Sequence, residues 1–181
     1  MAPSTQEPQA NQGQVPALPT FTADEITEML VDFLQNGKTL ADVRGMTTEE
    51  LETVYAMGFN AYNGGRYEQA LTAFQFLVYF DHMEKKYWRA LGSTLQMMKR
   101  FDKAVDAYGF ATLLDSNDPR TPLQAADCHL ALGNREEALS GLNAAIEWSG
   151  NKPEYQAVKE RALALRELLN ESSSDEDTQG D

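Results

Sequence analysis

The sequence predicts an all-α fold of three tandem helix–turn–helix units stacked into a short superhelical solenoid, with one helix before the array and a capping helix after it. Three observations predict it. Ala70, Ala104 and Ala138 lie 34 residues apart; Gly58, Gly92 and Ala126 precede them by twelve, and Phe74, Tyr108 and Leu142 follow them by four. Between the small residue and the alanine stand "NGGRY", "MKRF" and "LGNRE", all turn-like and two of them containing glycine. Apolar stripes at helical spacing flank the array on both sides.

A small residue and an alanine on facing helices let two antiparallel helices approach closely, while bulky neighbours fill the space beside them. Three such copies at this period are the signature of the tetratricopeptide repeat. The pattern predicts helices over 49–63 and 66–80, 84–97 and 100–113, and 120–132 and 135–148, so that the repeats occupy 47–152. Within the first helix, Val54, Met57, Gly58 and Ala61 read as the face packed on its partner, with Tyr67, Phe74 and Leu77 completing the contact.

A solenoid leaves an apolar face wet at each end unless it is closed. Over 153–170, Pro153 marks a helix start, and Val158, Ala162, Leu165 and Leu169 form the stripe of a capping helix. Over 21–46, Thr22 and Glu25 read as a capping box and Gly37 as a stop, leaving a helix and linker. The stripe of this helix, Ile26, Met29, Leu30, Phe33 and Leu34, has no repeat partner and must dock elsewhere. Residues 1–20, rich in Pro, Gln and Ala, and the acidic 171–181 bury too little to offset their ordering entropy; both are expected to be solvated, disordered arms.

Composition excludes several function classes. With 181 residues, 42% of them hydrophobic and 24% charged, the chain reads as one soluble domain with a core. A net charge of −13 argues against nucleic acid, which is held largely through Lys and Arg. The first twenty residues hold no Lys, Arg or apolar run, so no secretory signal is expected there, and no stretch is apolar enough to insert in a membrane. The single cysteine, Cys128, cannot close an intrachain disulfide. These features point to the cytosol. No cofactor or metal is expected: Cys128 and the adjacent His129 point to different sides of a helix, and His82 is remote. No nucleophile, base or phosphate loop suggests an enzyme.

Binding is left, and the aromatics say where. Tyr55, Phe59 and Tyr62 form a second stripe, turned about 100° from the packing face. Adding 34 gives Arg89, Ser93 and Gln96; adding 68 gives Leu123, Asp127 and Leu130. A position that accepts Arg, Ser and Gln in one repeat is not a core position of the repeat. The first helices of stacked units line the inner wall of the solenoid, so these residues are expected to face a concave peptide-binding groove. The alternative is that the N-terminal helix folds over the rings. As a clamp for a partner's carboxylate Arg89 and Arg120 could serve from the groove, but two scattered arginines read more readily as ordinary solvated positions, and "FQFLVYF" (74–80) reads as a helix whose two sides touch neighbours in the stack.

At these residues the sequence resembles a particular family. "YAMGFNAYNGGRYEQALTAFQFLVYFDH", "LGSTLQMMKRFDKAV", "DPRTPLQAADCHLALGN", "EEALSGLNAAIE" and "NKPEY" are similar, in this order, to the class II chaperones of bacterial type III secretion systems, which guard hydrophobic translocator proteins. The resemblance implies a cytosolic chaperone that holds an extended translocator segment in its concave groove. The family's aromatic groove positions fall on Tyr55, Phe59, Tyr62 and Tyr67. It also implies a homodimer built through the N-terminal helix, which would employ Ile26, Met29, Leu30, Phe33 and Leu34. The other reading left open is an adaptor or regulatory co-factor that binds a soluble partner such as a transcription regulator.

Overall fold

A computed structural model describes residues 37–177; the N-terminal helix with its stripe from Ile26 to Leu34, and the arm before it, lie outside the described residues. The described chain is wholly helical. A single turn, α1 (Leu40–Val43), leads into three antiparallel pairs: α2 (Thr48–Asn63) with α3 (Tyr67–Phe80), α4 (Lys85–Met97) with α5 (Phe101–Leu114), and α6 (Arg120–Leu132) with α7 (Arg135–Ser149). A 3₁₀ turn over Pro153–Tyr155 opens α8 (Gln156–Asp177). From α2 onward each helix packs on its sequence neighbours, α1 rests on α3, and α2, α4, α6 and α8 also touch in succession, so the first helices of the pairs form one wall. The helices start and stop within one residue of where the 34-residue pattern puts them.

Local chemistry accounts for the boundaries. Thr39 and Thr47 each accept from the backbone N–H three residues on, while Asp42 and Glu50 accept from the threonine N–H in return. Both are capping boxes; the first builds α1 inside what reads as linker in the sequence. The turns share a backbone as well as a spacing. Gly65, Lys99 and Gly133, again 34 residues apart, all take positive φ, at 71°, 59° and 76°. Two turns place glycine in this left-handed conformation and the middle one forces a lysine into it.

The alanines at period 34 are fully buried, and so are Phe74, Tyr108 and Leu142. The small residue of each first helix makes room for the large one of the second. A Cβ on Gly58 would stand 2.8 Å from a ring carbon of Phe74, and one on Gly92 2.7 Å from the ring of Tyr108. In the third pair Ala126 and Leu142 share a core with Ala145 and Ala162. Val158, Ala162, Leu165 and Leu169 of α8 close this core, the capping role their spacing predicts.

Two expectations need correction, and one more holds only in part. The inward face of α2 is Leu51, Val54, Gly58 and Ala61, whereas Met57 is 65% exposed. Met57 falls 240° around the helix from Leu51, outside the packed arc. The helix carrying 74–80 does touch neighbours on both sides, α2 and α4, and Val78 and Phe80 pack on the core beside the buried Phe74 and Leu77, but its outer face stays open: Tyr79 is 70% exposed and Phe76 lies partly open against Phe80, ring centroids 4.4 Å apart. Finally, the backbone of α8 runs on through Asp177 rather than giving way to a disordered tail after Asn170. No Gly or Pro stands between Pro153 and Gly180 to stop it.

Candidate binding groove on the concave wall

The wall formed by α2 and α4 encloses a cavity of about 210 Å³ lined by Tyr55, Phe59, Tyr62, Phe74, Lys86, Arg89, Ala90 and Ser93. One side is aromatic. Tyr55 and Phe59, one helical turn apart, lie nearly parallel with centroids at 6.3 Å. Tyr55 is wedged against Phe74 at 5.7 Å and Tyr87 at 5.8 Å, so it is half core and half wall. Tyr62 meets the edge of Tyr67 at 5.7 Å, and burial, with Tyr67 beside it, raises its phenol above the ordinary tyrosine value. Phe59 stacks on Tyr55 and is 48% exposed.

The opposite side is polar and cationic. Lys86 pairs with Glu52 and holds its ammonium 5.4 Å from the Tyr55 ring centroid. The Arg89 Nη1 donates to Asp118 Oδ2 at 2.9 Å. Asp118, almost fully buried, also accepts from Arg120 through Nε and Nη2, both at 2.8 Å, and through the backbone N–H at 3.1 Å. Burial pushes the Asp118 carboxyl up, but these hydrogen bonds and the two guanidiniums outweigh it and hold the group below the usual carboxylate value. Behind Ser93 and Gln96 rises Tyr108, whose hydroxyl donates to Gln96 Oε1 at 2.8 Å and lies 3.2 Å from Ser93 Oγ.

Of the ten groove residues expected from the sequence, the structure brings Tyr55, Phe59, Tyr62, Arg89 and Ser93 around one cavity. Tyr67 stands behind Tyr62, and Gln96 is turned to Tyr108. The third repeat departs most. Leu123, 5% exposed, belongs to the core with Leu142 and Ala162. Asp127 is drawn to α8, where Arg161 donates to its two oxygens at 2.8 and 2.9 Å, and Leu130 is half-buried. The cause is the capping helix, which lies beside α6 as a fourth first helix would. Sequence reasoning missed Phe74, Lys86 and Ala90 as lining. Lys86, Ala90 and Ser93 share one face at i, i+4 and i+7, a signal that the first-repeat rings alone do not reveal.

Arg89 is no solvated surface residue. Its side chain is 28% exposed, it lines the cavity, and its Nε–H is buried without an acceptor. Cys128 is fully buried and burial pushes its thiol up to about 11, which removes it as a nucleophile or ligand near neutrality. Among the described residues no group of three His, Cys, Asp or Glu side chains could hold a metal ion, and no helix is long and apolar enough to cross a membrane.

Tetratricopeptide-repeat family patterns match residues 51–83 and 95–162. Low calcium response locus protein H of Yersinia pseudotuberculosis is 33% identical over 150 residues, covering 83% of this chain and 89% of that protein. Among solved structures, PcrH of Pseudomonas aeruginosa in complex with the chaperone binding region of PopD superposes with a TM-score of 0.69 at 35% identity, over 71% of this chain and 97% of PcrH. SycD of Yersinia enterocolitica, solved with a peptide of the translocator YopD, gives 0.69 at 34% identity over 71% and 98%, and has also been solved as an alternative dimer. A repeat array with this wall, joined to a relative of that identity along nearly its whole length, places the chain in the class II type III secretion chaperones, a family of binding proteins and not of enzymes.

Proposed function

We propose that this protein is a bacterial cytosolic chaperone that binds an extended segment of hydrophobic type III secretion translocators in its concave groove and keeps them soluble until secretion. The observation that carries the reading is the cavity between α2 and α4, walled by Tyr55, Phe59 and Tyr62 and open to solvent at Phe59. PcrH and SycD relatives bind their translocator segments as partners, which supports the same role here.

Phe59 offers the clean test, because Tyr55 and Tyr62 also brace the core. A ring that hides roughly 100 Å² on contact is worth about 2.5 kcal/mol before ordering costs. Phe59→Ala is therefore expected to weaken capture of a co-expressed translocator about tenfold or more while leaving the melting temperature within a degree or so. Capture at wild-type strength by this variant would remove the groove from the mechanism. A translocator that is soluble when expressed alone would favour an adaptor over a chaperone.

The chain is further proposed to form a homodimer through Ile26, Met29, Leu30, Phe33 and Leu34. Their i, i+3, i+4, i+7, i+8 spacing makes a stripe too apolar to leave in water, and SycD supplies a dimeric relative. Leu30→Asp with Phe33→Asp is expected to convert a sedimenting dimer into a monomer. A wild-type chain that sediments as a monomer would overturn this assignment.

A further inference from the structure

The groove has two unlike halves, and the second says what kind of segment belongs in it. Asp118 carries one negative charge and is shared by two guanidiniums, those of Arg89 and Arg120, so the cluster keeps a net positive charge at the cavity wall. Lys86 beside it is already neutralised by Glu52. Asp118 occupies only Nη1 of Arg89, and the Nε–H has no acceptor although it is buried. An unpaired donor on a cation is costly, the side chain keeps 28% of its surface accessible beside the cavity it lines, and a small turn of the guanidinium would carry the buried Nε–H to an acceptor there. The Nε–Nη2 edge of a guanidinium matches the two oxygens of a carboxylate.

Resting on the reading of this cavity as the client groove, we propose that Arg89 is a specificity residue: the chain takes an extended segment in which an apolar anchor seated against Tyr55, Phe59 and Tyr62 is flanked, within a few residues, by an Asp or Glu that binds the free edge of Arg89. The anchor supplies the hydrophobic contact and the acid sets the register. Such selection runs against the rest of the molecule, whose charge of −13 repels acidic chains. It also separates clients of this chaperone from segments that are merely apolar.

The test is a displayed library of random peptides panned against the full chain, with the selected peptides resynthesised and their binding measured by fluorescence anisotropy. Asp or Glu should be enriched at one fixed offset from the apolar anchor. Exchanging that acid for its amide should cost about tenfold on the wild type and little on Arg89→Gln, the coupling a direct pair produces. Arg89→Lys keeps a charge for Asp118 without the two-donor edge and should recover only part of the loss, which keeps the test valid should Arg89→Gln fold poorly. Selected binders with no acid at a fixed offset, or an acid whose removal costs the same on wild type and variant, would overturn the inference while leaving the groove intact. Binders indifferent to Phe59→Ala would sit outside the groove and overturn both readings.

Discussion

Gly92→Ala is expected to destabilise the protein by about 1–3 kcal/mol, although alanine is the better helix former by about 1 kcal/mol. Three ring atoms of Tyr108 would lie 2.7, 2.8 and 3.0 Å from the new Cβ. Ordinary carbon contacts are about 3.5–4.0 Å, so one partner must move by most of an ångström. The ring cannot swing aside: it is fully buried and its hydroxyl is tied to Gln96 at the groove wall. Separation of α4 from α5 is the remaining response, and it loosens contacts along the whole pair. Gly109 is the control in the same repeat, for it sits within α5 with open space around its Cβ. Gly109→Ala should stabilise by about 0.5–1 kcal/mol. Thermal melts of the two variants should therefore move in opposite directions, and a Gly92→Ala protein that melts at or above the wild type would refute the close-approach account.

Asp118→Ala should cost about 2–3 kcal/mol. Loss of one partner of a fully buried pair costs about 3–5 kcal/mol, but Arg120 is 51% exposed and Arg89 reaches the cavity, so both cations can recover hydration. The variant also strips the backbone N–H of Arg120, at the first turn of α6, of its side-chain acceptor. A pH signature distinguishes this site from a simple packing defect. Because the folded Asp118 titrates below its unfolded value near 4, its contribution is complete above about pH 4 and fades as the pH falls through the folded value. The stability gap between wild type and Asp118→Asn, followed by urea denaturation, should stay constant from neutrality to about pH 4 and narrow below it. A gap independent of acidification would show that the charge contributes nothing.

The repeat array was legible because its demands are local and recur. Close helix approach needs Gly58, Gly92 and Ala126 opposite Phe74, Tyr108 and Leu142, and nothing distant can change that. The groove was legible only in part, because exposure depends on what covers a face. Tyr55, Phe59 and Arg89 stand at their expected places on the wall, yet Leu123, at the position of Tyr55 and Arg89, is core because α8 closes over the third repeat. At Arg89 the place was legible but the ion pair was not. Its partner, Asp118, lies 29 residues on in a loop, and no helical period links the two. Met57 was lost because it stands at the edge of an otherwise sound stripe, about 40° around the helix from Ala61.

Lys99 holds a backbone conformation that its counterparts leave to glycine, at a cost of about 1 kcal/mol. Arrays of this kind breathe unit by unit, each governed by its own stability and that of its nearest neighbours. The surcharge falls on the middle unit, which also presents Lys86, Arg89, Ala90 and Ser93. Strain is thereby set in the unit that carries the charged jaw of the cleft and not in the one that carries its aromatic jaw.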